Sequence, residues 1–298
     1  MRIDANRIAL VGDGNIGATD DDFVLAMVDD SGALDSSFGS AGIVRNDVAN
    51  AQRNDTANSA AVLGSSIIAC GVQGRDDTDS AFALLRVGFD GQPIASWGTN
   101  GTVADELGNG TYDECFDAVA LGSDVIAVGK SGDNRFVVVA YHEANGMRDT
   151  AFAGGGIFEL VSGGSDAAAV IAVDNEIVAV GESGGRAVVV RLTAAGTPRA
   201  GFGTAGVVEV DTIDTFSAVV AQPDGKLVAA GITNDQPALV RMTADGVLDA
   251  SFGRNGILTI ASANPIDVTS LLLDPDGKLV IAGISGTGPL ESYLARIR

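Results

Sequence analysis

The chain has 298 residues, with 18 Lys and Arg against 39 Asp and Glu, a formal charge of -21. Yet 46% of its residues are hydrophobic, which excludes intrinsic disorder, since disorder couples high charge to low hydrophobicity. The charge repels phosphates and so disfavours nucleic acid and anionic membrane as partners, and the uncharged stretch Asn58 to Gly74 is too broken by Gly, Ser and Asn to span a bilayer.

Taken in chain order, Met1-Arg2-Ile3 reads as a strand stub, and Met1 to Asn6 holds no apolar segment of the signal-peptide kind. Ile8-Ala9-Leu10-Val11-Gly12 is then the first of six apolar runs closed by glycine, the others ending at Gly71, Gly129, Gly181, Gly231 and Gly283. Each is followed by a second run closed by a turn residue and Gly, ending at Gly32, Gly91, Gly146, Gly196 and Gly246. The sixth copy, Tyr293 to Arg298, stops before its turn. The third recurring mark is an aromatic followed by small residues, at Phe38, Trp97, Phe152, Phe202 and Phe252. Successive glycine-closed runs lie 59, 58, 52, 50 and 52 residues apart.

Within the fifth copy the strands are direct to read. Phe216 to Ala221 is the first, and Pro223-Asp224-Gly225-Lys226 is a turn. Leu227 to Ala230, Ala238 to Met242 and Gly256 to Ile260 are the second, third and fourth. Four antiparallel strands in a period near 50 residues predict an all-β, six-bladed β-propeller of four-stranded blades, one domain over 1–298, with first and last units incomplete. A solenoid would need polar caps at both ends. Here both ends are ordinary repeat fragments, so a ring is expected.

The stretch Leu34-Asp35-Ser36-Ser37-Phe38-Gly39-Ser40-Ala41-Gly42-Ile43-Val44 returns as Leu248 to Leu258. Together with Gln222-Pro223-Asp224-Gly225-Lys226-Leu227-Val228-Ala229-Ala230-Gly231, it resembles the delta-60 repeat family. The resemblance covers essentially the whole chain and implies a β-propeller of the kind found in bacterial proteins, often exported or surface-associated. It implies no reaction and carries over no functional residue. The copies depart from the pattern at Ile94 and Arg199, where Asp is expected, and at Phe152-Ala153, where Phe-Gly is expected.

Most singular residues read as structural. The aromatics sit identically in every available copy, as gap-fillers beside Gly-rich turns do. Arg86, Arg191, Arg241 and Arg296 share one third-strand position and are expected to cover apolar surface and reach backbone carbonyls. Of these only Arg241 faces an Asp, Asp249, in register. Cys70 and Cys115 fall in or beside apolar runs and are expected as two buried thiols. His142, the only histidine, replaces Val28, Val87, Leu192, Met242 and Ile297, so a half-buried imidazole satisfied by a carbonyl is expected.

The acidic loops are what the fold does not demand. The links between strands two and three, and those leading to the next blade, carry 22 acidic and six basic residues, so one face is expected to be strongly negative. Asp13, Asp20, Asp21 and Asp22 form one cluster and Asp76, Asp77 and Asp79 a second, and these are candidate calcium ligands because calcium takes six to eight oxygens. Asp105-Glu106 with Asp113-Glu114 is a third cluster. Two function classes follow. One is a non-enzymatic binding or scaffolding module whose acidic face engages a protein, cation or glycan (carbohydrate) ligand. The other is a calcium-dependent hydrolase of lactonase or esterase type with its metal at a central channel mouth. No catalytic set is legible, so the first is favoured, as a monomer.

Overall fold

A computed structural model describes residues 1–15, 21–48, 53–76, 79–108, 112–132, 134–161, 163–286 and 290–297. The architecture is that of an all-β, six-bladed β-propeller: six antiparallel sheets, four with four strands and two with three. The chain divides into two compact units, Met1–Phe158 and Glu159–Arg298.

In the first unit, blade 1 is β1 (Arg7–Gly14), β2 (Asp22–Asp29) and β3 (Ile43–Asn46). Blade 2 is β4 (Thr56–Leu63), β5 (Ser66–Asp76), β6 (Asp79–Gly88) and β7 (Thr102–Asp105). Blade 3 is β8 (Glu114–Leu121), β9 (Asp124–Ser131), β10 (Arg135–His142) and β11 (Ile157–Leu160). In the second unit, blade 4 is β12 (Ser165–Val173), β13 (Glu176–Ser183), β14 (Ala187–Thr193) and β15 (Val207–Val210). Blade 5 is β16 (Thr215–Ala221), β17 (Leu227–Thr233), β18 (Gln236–Met242) and β19 (Ile257–Thr259). Blade 6 is β20 (Ile266–Leu273), β21 (Leu279–Ser285) and β22 (Glu291–Ile297). Each sheet is a meander in chain order. Among the described residues blade 1 has three strands, with Arg2 bridged to Ile8, and blade 6 has three.

The glycine-closed run has a local cause. In blades 2 to 6 the first strand carries a β-bulge, at Ala57/Ser59, Cys115/Asp117, Ala167/Ala169, Phe216/Ala218 and Val268/Ser270. A bulge bends its strand, and here it drives a backbone carbonyl onto the neighbouring Cα. A Cβ at Gly71, Gly129, Gly181, Gly231 or Gly283 would overlap the carbonyl oxygen of Thr56, Glu114, Asp166, Thr215 or Asp267. At Gly12, in three-stranded blade 1, no atom lies within 4 Å of that position.

The aromatic and turn marks lock neighbouring blades. Phe38, Trp97, Phe152 and Phe202 are buried. The N–H of Gly39, Gly98 and Gly203 donates to the carbonyls of Asp90, Asn145 and Asp245, at 2.8, 2.8 and 3.1 Å. These carbonyls immediately precede the turn glycines of the following blade. A Cβ on Gly146 would press on the Trp97 ring at 2.9 Å, so the gap-filler expectation holds. Between blades 1 and 2, Phe23, Leu25 and Met27 pack with Ile67, Ala69, Leu85 and Val87, all buried. Each of the larger of these side chains contributes roughly 1.5–3 kcal/mol on leaving water. Cys70 and Cys115 are free and buried among the apolar residues of blades 2 and 3.

Candidate functional site

Antiparallel strands reverse at each step, so in every blade the link from the second to the third strand and the link after the fourth leave the same end. Aspartates immediately before first strands tie those links to backbone N–H groups at the end of a second strand or just beyond it. Asp55 accepts a hydrogen bond from the Gly74 N–H at 3.0 Å. Asp113 accepts from Leu107 and Gly132 N–H at 2.7 and 3.0 Å. Asp214 accepts from Asn234 N–H at 2.8 Å. Asp55 and Asp113 are buried. Burial holds the Asp113 carboxyl above the usual carboxylate range despite its two N–H donors, and the charges of Asp79 and Asp105 add to the shift. Glu182 in blade 4 is raised in the same direction, by burial first and then by Asp166 and Asp214.

The structure describes the side chains of four of the seven candidate calcium ligands, Asp13, Asp21, Asp22 and Asp79. Asp20 and Asp77 lie outside the described residues, and Asp76 ends β5 with its side chain outside them. Asp13 is exposed at the end of β1, in register with Phe23. Asp79 lies 4.0 Å from Arg75, which also pairs with Glu106. The Asp21 N–H donates to Asn54 Oδ1 at 3.1 Å, and its carbonyl accepts from Asp55 N–H. Asp22 does enter a carboxylate cluster, with oxygens of Asp22, Asp47 and Asp55 within 4.8 Å of one another. Asp22 is paired there with Arg45 Nε at 2.8 Å. Sequence reasoning missed Asp47 and Asp55; the signal for Asp55 was its place one residue before a first strand, shared with Asp113 and Asp214.

Much of the third cluster is engaged. Asp105 takes a forked pair from Arg148, with Nε at 2.8 Å, and the Tyr141 hydroxyl at 3.0 Å. Glu114 pairs with Lys130 at 3.1 Å. Two of the third-strand arginines reach backbone carbonyls as expected, whereas Arg296 departs from the expectation and pairs with the Asp274 and Asp276 carboxylates. Arg86 donates to the Glu143 carbonyl and Arg191 to the Ala244 carbonyl of the next blade, at 2.5 and 2.8 Å. Arg241 meets Asp249 at 2.8 Å.

His142 corrects its expectation. Its partners are carboxylates, not a carbonyl: Asp124 at 3.0 Å from Nδ1 and Asp149 at 3.9 Å from Nε2, with the imidazole 44% exposed.

The model of a family described as a domain of unknown function (DUF5122) β-propeller matches residues 222–252. No curated protein matches the sequence. Among solved structures, a protein from Lactobacillus plantarum is 10% identical, with 98% of this chain and 82% of that one covered, at a TM-score of 0.51. The WD40 β-propeller domain of Doa1 is 11% identical over 99% of this chain and 91% of its own, at 0.42. Puromycin hydrolase is 15% identical over 82% of this chain and 39% of its own, at 0.45. What the chain shares with the Lactobacillus plantarum protein, at this identity, is the β-propeller fold.

Proposed function

We propose that this chain is a non-enzymatic binding module, a propeller of delta-60-type repeats, whose acidic link ends receive a positively charged partner: a basic protein segment or a cation such as calcium. One observation carries the reading. Asp113 and Glu182 are held above the usual carboxylate range, by burial first and then by the neighbouring charges of Asp79 and Asp105 and of Asp166 and Asp214. A cationic ligand relieves that repulsion.

The test compares ends of equal composition. Binding of a lysine-rich peptide, and separately of Ca²⁺, is measured for the wild type, for Asp21→Asn/Asp79→Asn/Glu182→Gln, and for Asp30→Asn/Asp90→Asn/Asp245→Asn at the opposite blade ends. The reading expects the first triple variant to lose at least tenfold in affinity while the second stays near wild type. Equal losses in both would reduce the effect to net charge and end the proposal.

A further inference from the structure

A different group of side chains, at the opposite end of blade 3 from the acidic links, carries an inference beyond that function. We propose that Asp124, His142 and Asp149 form a binding site for a divalent transition-metal ion of the zinc class. One imidazole nitrogen and one oxygen from each aspartate lie within 4.8 Å of one another. Donors about 2.1 Å from a tetrahedral zinc ion stand roughly 3.4 Å apart. An ion takes only one of the two nitrogens: Asp124 stands 3.0 Å from Nδ1, near that spacing, while the 3.9 Å from Asp149 is to the other nitrogen, Nε2.

The repeat itself supplies the control. His142 and Asp124 are cross-strand partners in β10 and β9. At the same place the other five blades pair Val28 with Ile8, Val87 with Ile67, Leu192 with Ile177, Met242 with Leu227 and Ile297 with Leu279. Five blades use an apolar pair; blade 3 alone has an imidazole and a carboxylate. The fold therefore does not require them.

Asp149 departs from its counterparts as well. Asp249 is neutralised by Arg241 and Lys226 and capped by the Ser251 hydroxyl. Asp35 is capped by the Ser37 hydroxyl. In blade 3 the Arg position is Tyr141 and the Ser position is Ala151, whose N–H remains as a donor at 2.9 Å. Among the described residues neither Asp124 nor Asp149 has a Lys or Arg partner. Two carboxylates thus converge on one imidazole, and a divalent cation balances them.

The ligands are also held on rigid backbone: two sit in a strand pair, and Asp149 N–H donates to the Ala140 carbonyl at 2.8 Å. Beside them an open cleft of about 690 Å³ is lined by His142, Ser96, Ser123, Glu143 and Asn145. It leaves room for water to complete the coordination. Imidazole with carboxylates suits zinc, nickel or copper better than calcium.

The experiment titrates the metal-stripped full chain with Zn²⁺ alone by calorimetry, with a parallel Co²⁺ titration followed by visible absorption. One ion per chain is expected, with a rise in melting temperature on Zn²⁺ addition. His142→Val should weaken binding at least 100-fold, and Asp149→Asn about 10–100-fold. Asp124→Ile/His142→Val restores the apolar pair of blades 1 and 2 and should fold without any zinc response. Asp22→Asn should bind zinc as the wild type does, which separates this site from the acidic links. Absence of saturable binding, or binding that survives His142→Val, overturns the proposal.

Discussion

Gly71, Gly129, Gly181, Gly231 and Gly283 occupy a place where any side chain would enter a bulged neighbour's carbonyl, and Gly12 occupies the same place with open space around it. The contrast gives a paired prediction. Gly129→Ala or Gly231→Ala must push the first strand away and should cost at least about 2 kcal/mol; Gly12→Ala should stay within about 0.5 kcal/mol of the wild type. Denaturant melts decide it, and a Gly12→Ala penalty equal to the others would refute the bulge as the cause. Asp249 offers a second residue-scale test. The Ser251 hydroxyl and N–H, then Lys226 and Arg241, hold its carboxyl far below the ordinary range. A depressed carboxylate stabilises the fold above its unfolded value, near pH 4, and that contribution fades as pH falls toward the folded value. Asp249→Ala should therefore lower the melting temperature most at neutral pH, with a deficit that shrinks below about pH 4. A deficit constant down to pH 2 would count against this linkage. The glycine positions were legible in the sequence because they recur. Their cause was not, since a bulge is a relation between strands that no single run of residues displays.

At the scale of strands and links, Arg86 and Arg191 act as latches between blades. Arg191 is buried, with its guanidinium between the Glu176 carboxylate at 2.7 Å and the Ala244 carbonyl of the following blade. Removing one side of such a pair leaves its partners without their donor, so Arg191→Leu should cost about 3 kcal/mol. A double-mutant cycle with Glu176→Gln should return a coupling of about 0.5–3 kcal/mol; zero coupling would leave packing as the whole effect. The strand pattern was legible because each β-run is apolar and each turn carries Gly. In blade 5 the expected strands match β16 to β19 within a few residues, with β17 running on to Thr233 because it pairs past Gly231 with β18. The acidic links were legible as charge but not as contacts. Asp55 and Asp113 look like surface acids in the sequence, yet they are buried and bind backbone N–H groups at or just beyond the end of a second strand. His142 likewise met Asp124 only through the register of the β9–β10 pair. Counting acids therefore overstated how many are free to meet a ligand.

For the molecule as a whole, two electrostatic effects of opposite sign compete. Ion pairs such as Arg2 with Asp30 and Arg186 with Glu209 stabilise the fold and weaken in salt. Exposed pairs of this kind are worth about 0–1 kcal/mol each. Against them stands a formal charge of -21, whose self-repulsion opposes the compact state and is also screened by salt. Acids outnumber bases 39 to 18, so even complete pairing of every base leaves more than half the acids uncompensated, and the repulsive effect should prevail. Between roughly 0.01 and 0.15 M salt the Debye length falls from about 30 to about 8 Å, short enough to screen carboxylates on neighbouring links from one another. The melting temperature should rise over that range, by about 2–4 °C for each kcal/mol of repulsion relieved. The rise should be smaller in Asp21→Asn/Asp79→Asn/Glu182→Gln, which removes three of the crowded charges. A melting temperature that falls with added NaCl would mean that paired charges, not surplus ones, govern stability, and the crowding invoked for the link ends would lose its energetic basis.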